Sequence, residues 1–169
     1  MLVWQPYLQE DDMISFKRIA VAAALLASLG PAAAQDKAAV PYDAELAKSL
    51  GANDMGMRNY VFVILKTGPN KMPEGEGRKK MFAGHFANMG RLAAEKKLVL
   101  AGPLDGVEGR RGIFVFNTAD IEEAKKFVAT DPVIINGEMV AEYHKFFASA
   151  ALMAVNDIHA RIQKPADKN

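Results

Sequence analysis

The sequence predicts an α+β domain in which a four-stranded antiparallel sheet carries two helices on one face, in the chain order βαββαβ. Three observations carry this. Four short runs dense in β-branched and aromatic residues lie between residues 59 and 147. Two stretches with helical apolar spacing separate them, and Gly- and Pro-rich breaks mark the joins. With 169 residues the chain is sized for one domain with a real core rather than two. Half of the residues are apolar and 24% are charged, as in an ordinary globular protein.

The first strand is expected over residues 59–67, where Tyr60 to Leu65 read YVFVIL and indicate burial on both faces. The stretch 67–77, TGPNKMPEGEG, is a loop by its glycines and prolines and the expected site of greatest flexibility. The longest helix follows from Arg78 to Lys97. Phe82, Phe86, Met89 and Ala93 recur at helical spacing, and Met81, His85 and Leu92 lie on the adjoining stripe. Leu98 to Ala101 is a second strand ending at Gly102-Pro103, and Gly112 to Phe116 a third, paired with it as a hairpin across a longer loop. Asp120 with Glu123 forms a capping box for a helix from Ile121 to Thr130. That helix stops at Asp131-Pro132, because the residue before proline resists helical geometry. Val140 to Phe147 reads as the fourth strand. Val155, Ile158 and Ile162 mark a terminal helix before Lys164-Pro165.

This order is that of a ferredoxin-like fold with both helices on one face. The other face is then an apolar patch too large for a monomer, and a second copy of the same sheet is its simplest cover, giving a homodimer. The alternative cover lies within the chain. Segment 41–57, with Leu46 and Leu50 on a short helix capped by Asp43, or the terminal helix, has the apolar stripe to fold back and leave a monomer.

The N-terminus has the pattern of export. Lys17-Arg18 precede an apolar run from Ile19 to Leu29, then Gly30-Pro31 and Ala32-Ala33-Ala34, so a signal peptide over residues 1–34 with cleavage after Ala34 is expected. A retained anchor is the alternative, but the run has 11 residues where a span needs about 20. Glu10, Asp11 and Asp12 stand in the wrong place for a signal and point to Met13 as the true start. The domain limits expected are therefore signal 1–34, leader and short helix 35–57, main domain 58–148 and helical extension 149–169. The expected location is periplasmic or secreted.

No cysteine is present, which excludes disulfides, a lipidated cysteine and thiol chemistry. The full chain has 21 basic and 20 acidic residues. The first 34 hold two and three of these, so the remainder carries 19 and 17 and a net charge of +2. Such a balance indicates neither nucleic acid nor, after signal cleavage, a membrane as partner.

Several residues invite chemistry. Glu142 and His144 share strand parity, and with His85 and His159 they are the material for a metal site, but no HxH or HExxH spacing is present and no metal is expected. Thr67 to Asn70 and the GEG triplet lack the Gly-Lys-Ser/Thr of a phosphate loop. Arg110-Arg111 offers an anion a basic pair, or is simply a solvated loop tip.

The strand YVFVILKTGPN, the helix GHFANMGRLAAEKK with His85, the strand LVLAGPL with Gly102-Pro103, and IEEAKKFVATDP followed by EMVAEYHKFF together resemble the YCII-related domain over about residues 58–148. The resemblance implies a dimeric α+β barrel and singles out His85 and Asp131 as the candidate catalytic pair. It also implies cofactor-free chemistry of a lyase or dehydrohalogenase kind on a small organic molecule. A histidine takes a proton near neutral pH, and a carboxylate on its other ring nitrogen fixes the tautomer and raises basicity. The competing expectation is a non-catalytic binding or structural dimer, in which His85 is a satisfied core residue and Asp131 closes a turn. The signal peptide and the two extensions set this chain apart from small cytoplasmic members.

Overall fold

A computed structural model describes residues 39–164. The expected export signal and the tail after Lys164 lie outside the described residues. Helix α1 (Ala44–Ser49) is capped by Asp43, whose carboxylate accepts the Leu46 N–H at 2.9 Å, and it buries none of its residues. Strand β1 (Met57–Thr67) leads into α2 (Glu76–Ala94), β2 (Leu98–Pro103) and β3 (Arg110–Phe116). Then come α3 (Ile121–Val128), the one-turn α4 (Pro132–Ile135), β4 (Met139–Ser149) and α5 (Val155–Ile162). A 3-10 turn, Ala150–Ala154, joins β4 to α5.

The strands lie in the order β2-β3-β1-β4, every neighbour antiparallel. This is the ferredoxin-like arrangement the element order predicts. Strand parity divides β1 cleanly. Val61, Val63 and Leu65 join Met81 and Leu92 of α2, Ala124 and Val128 of α3 and Phe114 and Phe116 of β3 in the main core. Tyr60 faces the other way and forms a second buried cluster with Val99 and Val115.

Three expectations need correction. The buried stripe of α2 is Met81, His85 and Leu92, whereas Phe82 is half-buried and Phe86 is 63% exposed. The helix is thus turned by one position from the Phe82/Phe86 face. Burial of β1 on both faces holds only at Tyr60, for Phe62 and Ile64 are half-buried. The cover of the open face comes from the segment after Ser149, as the alternative expected, but from residues ahead of the apolar stripe named for its helix. Leu152 and Met153 in the 3-10 turn pack on the Tyr60 cluster, while Ile158 and Ile162 of α5 are 53% and 73% exposed. The chain therefore closes one end of its open face, and Phe62, Ile64, Leu100 and Ile113 stay partly accessible at the other.

Candidate functional site

The long helix delivers His85 to the sheet at a point where two backbones come close. A Cβ on Gly84 would meet Pro132 Cγ at 3.0 Å, so the glycine lets α2 approach the start of α4. Asp131 stands at that start as N-cap, its carboxylate accepting the Val133 N–H at 3.1 Å. The proline that ends α3 also fits the first position of the new turn, since its fixed φ suits it and its missing N–H would have no partner there. Asp131 is fully buried and His85 is 7% exposed.

His85 Nδ1 lies 2.9 Å and 2.8 Å from the two carboxylate oxygens of Asp131. An ionised carboxylate only accepts, so Nδ1 carries the proton and donates it, which leaves Nε2 as the ring nitrogen with an available lone pair. Phe82, Phe86 and Phe114 surround the imidazole, with centroids 6.2, 5.3 and 6.1 Å away. Asp131 thus orients a histidine set among aromatic rings.

His85 lines a cavity of about 340 Å³ between α2 and the β2-β3 end of the sheet. Its walls are mainly apolar, from Leu65, Phe82, Phe86, Met89, Phe114 and Met139. Gly102 and Gly112 contribute no side chain to it. A Cβ on Gly102 would point into open space, and one on Gly112 would press on the Gly102 carbonyl at 3.0 Å. The Gly102-Pro103 pair expected to end a strand does so, and it also lines this cavity. That volume is at the small end of ligand pockets and suits a single-ring molecule.

A second buried polar group braces the same region. Glu138 is 2% exposed, and it accepts the Met72 N–H at 2.6 Å and Arg78 Nη2 at 2.7 Å. The Met72 N–H, then Arg78, hold its carboxyl below the usual carboxylate range against the burial that would raise it; Arg111 adds a smaller pull in the same direction. Gly68 N–H and Asn70 N–H also bond the carbonyls of Glu138 and Gly137 at 2.8 and 3.0 Å. The loop expected to be loose is fastened at three points. Glu138 is not singled out by any sequence motif; its one local signal is the Asn136-Gly137 turn that sets it just before β4.

The remaining candidates lie elsewhere. His144 Nε2 donates to Glu142 Oε1 at 2.7 Å on the open sheet face, where Lys66 also pairs with Glu142 at 3.3 Å. His159 is exposed on α5. Among the described residues no group of three or more His, Asp or Glu side chains is placed to hold a metal.

The fold and site define a small ferredoxin-like α+β protein with a buried His/Asp dyad opening on an apolar cavity. The YCII-related domain profile matches residues 59–146, and the chain belongs to the YCII-related domain family. It is 36% identical over 55 residues to the uncharacterized protein YjpA of Bacillus subtilis (strain 168), a match covering 32% of this chain and 62% of that relative's length. Among solved structures it is similar to the 5-chloro-2-hydroxyhydroquinone dehydrochlorinase TftG of Burkholderia phenoliruptrix AC1100, in complex with 2,5-dihydroxybenzoquinone. That likeness has 20% identity and a TM-score of 0.37, and covers 51% of this chain and 92% of the other.

Proposed function

We propose that the chain is an exported, cofactor-independent enzyme that moves a proton on a small organic molecule and works as a homodimer. The observation that carries the catalytic reading is His85 on the wall of the cavity, backed by the buried Asp131 carboxylate at 2.8 and 2.9 Å. His85 Nε2 takes a proton from the bound molecule, and Asp131 stabilises the imidazolium that forms. The proton then returns at another atom of the same molecule, an isomerisation, or goes to a departing group, an elimination. Neither route needs a redox partner.

The test is a screen of single-ring compounds for turnover, followed by His85→Gln. General acid-base catalysis of this kind contributes about 10²–10⁴-fold, so kcat/KM is expected to fall by that factor. The melting temperature should change little, since Gln fills much of the same space. Turnover within threefold of wild type in the variant would refute the mechanism and leave a binding or structural role for the same residues.

A further inference from the structure

The catalytic reading leaves one charged group of the cavity unused. Arg111 lines it together with His85 and is half-buried. Its neighbour Arg110 is exposed and pairs with Glu108 at 2.7 Å. Arg78 is held by Glu138 and Glu74 at 2.7 and 3.2 Å. Among the described residues no carboxylate lies within 4 Å of the Arg111 guanidinium. Glu138 feels its charge, but both oxygens of that carboxylate are already bonded.

The backbone explains how Arg111 comes to face the cavity. Leu65 pairs with Gly112 and the next residue of β1, Lys66, pairs with Arg110, so Arg111 is the extra residue of a β-bulge. A bulge breaks the strict alternation of faces and re-aims a side chain. Here the re-aimed side chain is a cation beside a floor that Gly102 and Gly112 leave bare.

We infer that Arg111 is an anion anchor, and that the cavity takes a ring-sized monocarboxylate whose carboxylate binds this guanidinium while its apolar body lies among the aromatic walls toward His85. The planar fork of an arginine matches the two oxygens of a carboxylate. A half-buried guanidinium with no side-chain ion-pair partner among the described residues has the most to gain from such a ligand. At about 340 Å³ the space admits one ring with a short substituent, so a molecule held at Arg111 lies within reach of His85. This inference rests on reading the cavity as a ligand site. It names the substrate class and does not depend on the proton-transfer step.

Calorimetric titration at constant pH and salt tests it with two matched pairs, benzoate against benzamide and phenylacetate against phenylacetamide. Wild-type protein is expected to bind at least one acid about tenfold or more tightly than its amide, the factor given by about 1.4 kcal/mol of charge-assisted bonding. Arg111→Met should erase that ratio and leave amide affinity within about threefold; Arg111→Lys should keep part of it. If Arg111→Met melts early, Arg111→Gln carries the same comparison. Equal binding of acid and amide by wild type, a ratio that survives loss of the guanidinium, or no binding of either acid at 10 mM would each overturn the inference. Equilibrium binding is read without turnover, so a failure of the His85 mechanism would leave this result separately legible.

Discussion

Replacing Glu138 by Gln should destabilise the protein at neutral pH by an amount that acid then removes. The side chain is 1% exposed, and its two oxygens each take one strong bond, from the Met72 N–H at 2.6 Å and from Arg78 at 2.7 Å. Gln keeps the shape but has one oxygen, so its amide NH₂ must face either the Met72 N–H or the guanidinium, donor against donor. Losing a hydrogen bond to a charged group costs about 1.5–3 kcal/mol, and the Arg78 left behind is only 17% exposed, with its Nε already unpartnered. Glu74, 80% exposed, offsets little of this. A total near 3 kcal/mol corresponds to a fall in Tm of roughly 10 °C for a body of this size.

The pH dependence has a definite sign. Glu138 has a carboxyl held below its ordinary range in the folded protein, first by the Met72 N–H and then by Arg78. A depressed folded pKa contributes stability that is fully present above the unfolded value, about 4.3, and is lost as pH falls through the folded one. Melting curves of wild type and Glu138→Gln should therefore differ by a constant amount from about pH 8 to 5 and draw steadily together as pH falls below the unfolded value, about 4.3. Hydrogen exchange at the Met72 amide should also quicken in the variant at neutral pH. A Tm difference under 2 °C at pH 7, or one undiminished at pH 3, would refute the assignment of Glu138 as the charged brace of this loop.

Two further outcomes test the assembly and the export signal. Sedimentation of the protein lacking residues 1–34 should give a dimer at micromolar concentration. A single species of monomer mass would refute it, and a chain ending at Ala148, stripped of Leu152 and Met153, should associate more strongly because Tyr60, Val99 and Val115 lose their cover. Protein recovered from the cell envelope should begin at Gln35, and recovery of a chain starting at Met1 or Met13 would refute cleavage after Ala34.

The sheet was legible because its strands obey simple periods. All four are found where β-branched runs predict them, each longer than expected: β4 runs from Met139 to Ser149 and not only from Val140 to Phe147. Helix α4 was not legible, since four residues are too few to show a period. Proline correctly stopped α3, but the same fixed φ that ends one helix starts the next turn. The face of α2 was misjudged because two phenylalanines outweigh a methionine and a histidine on any hydropathy count. Phe82 packs on the edge of the core and lines the cavity, while Phe86 lines the cavity alone. The cover of the open face was read at the wrong residues for a related reason. Leu152 and Met153 sit in a 3-10 turn, where helical spacing carries no signal.

The site residues come from four separate parts of the chain, and each is placed by a local departure from regular structure. Gly84 sits in mid-helix, where its missing Cβ lets His85 reach Asp131. Asp131 stands between two helices that a proline separates. Arg111 is the unpaired residue of a bulge. Glu138 follows Gly137, whose φ of +71° closes the turn into β4. Regular periodicity predicts the scaffold because the core rewards it; a cavity needs backbone that does not pack, so its residues collect where the periods break. His85 and Asp131 were singled out through family resemblance, and Arg111 as half of a basic pair that offers an anion a partner or is a solvated loop tip; its place on the cavity wall and the role of Glu138 were not read. A bulge and a charged brace leave no spacing rule in a single sequence, and both require knowing which strands pair. The glycines were the readable part of that signal, for Gly84, Gly102, Gly112 and Gly137 each stand at or within two residues of a group that lines or braces the cavity.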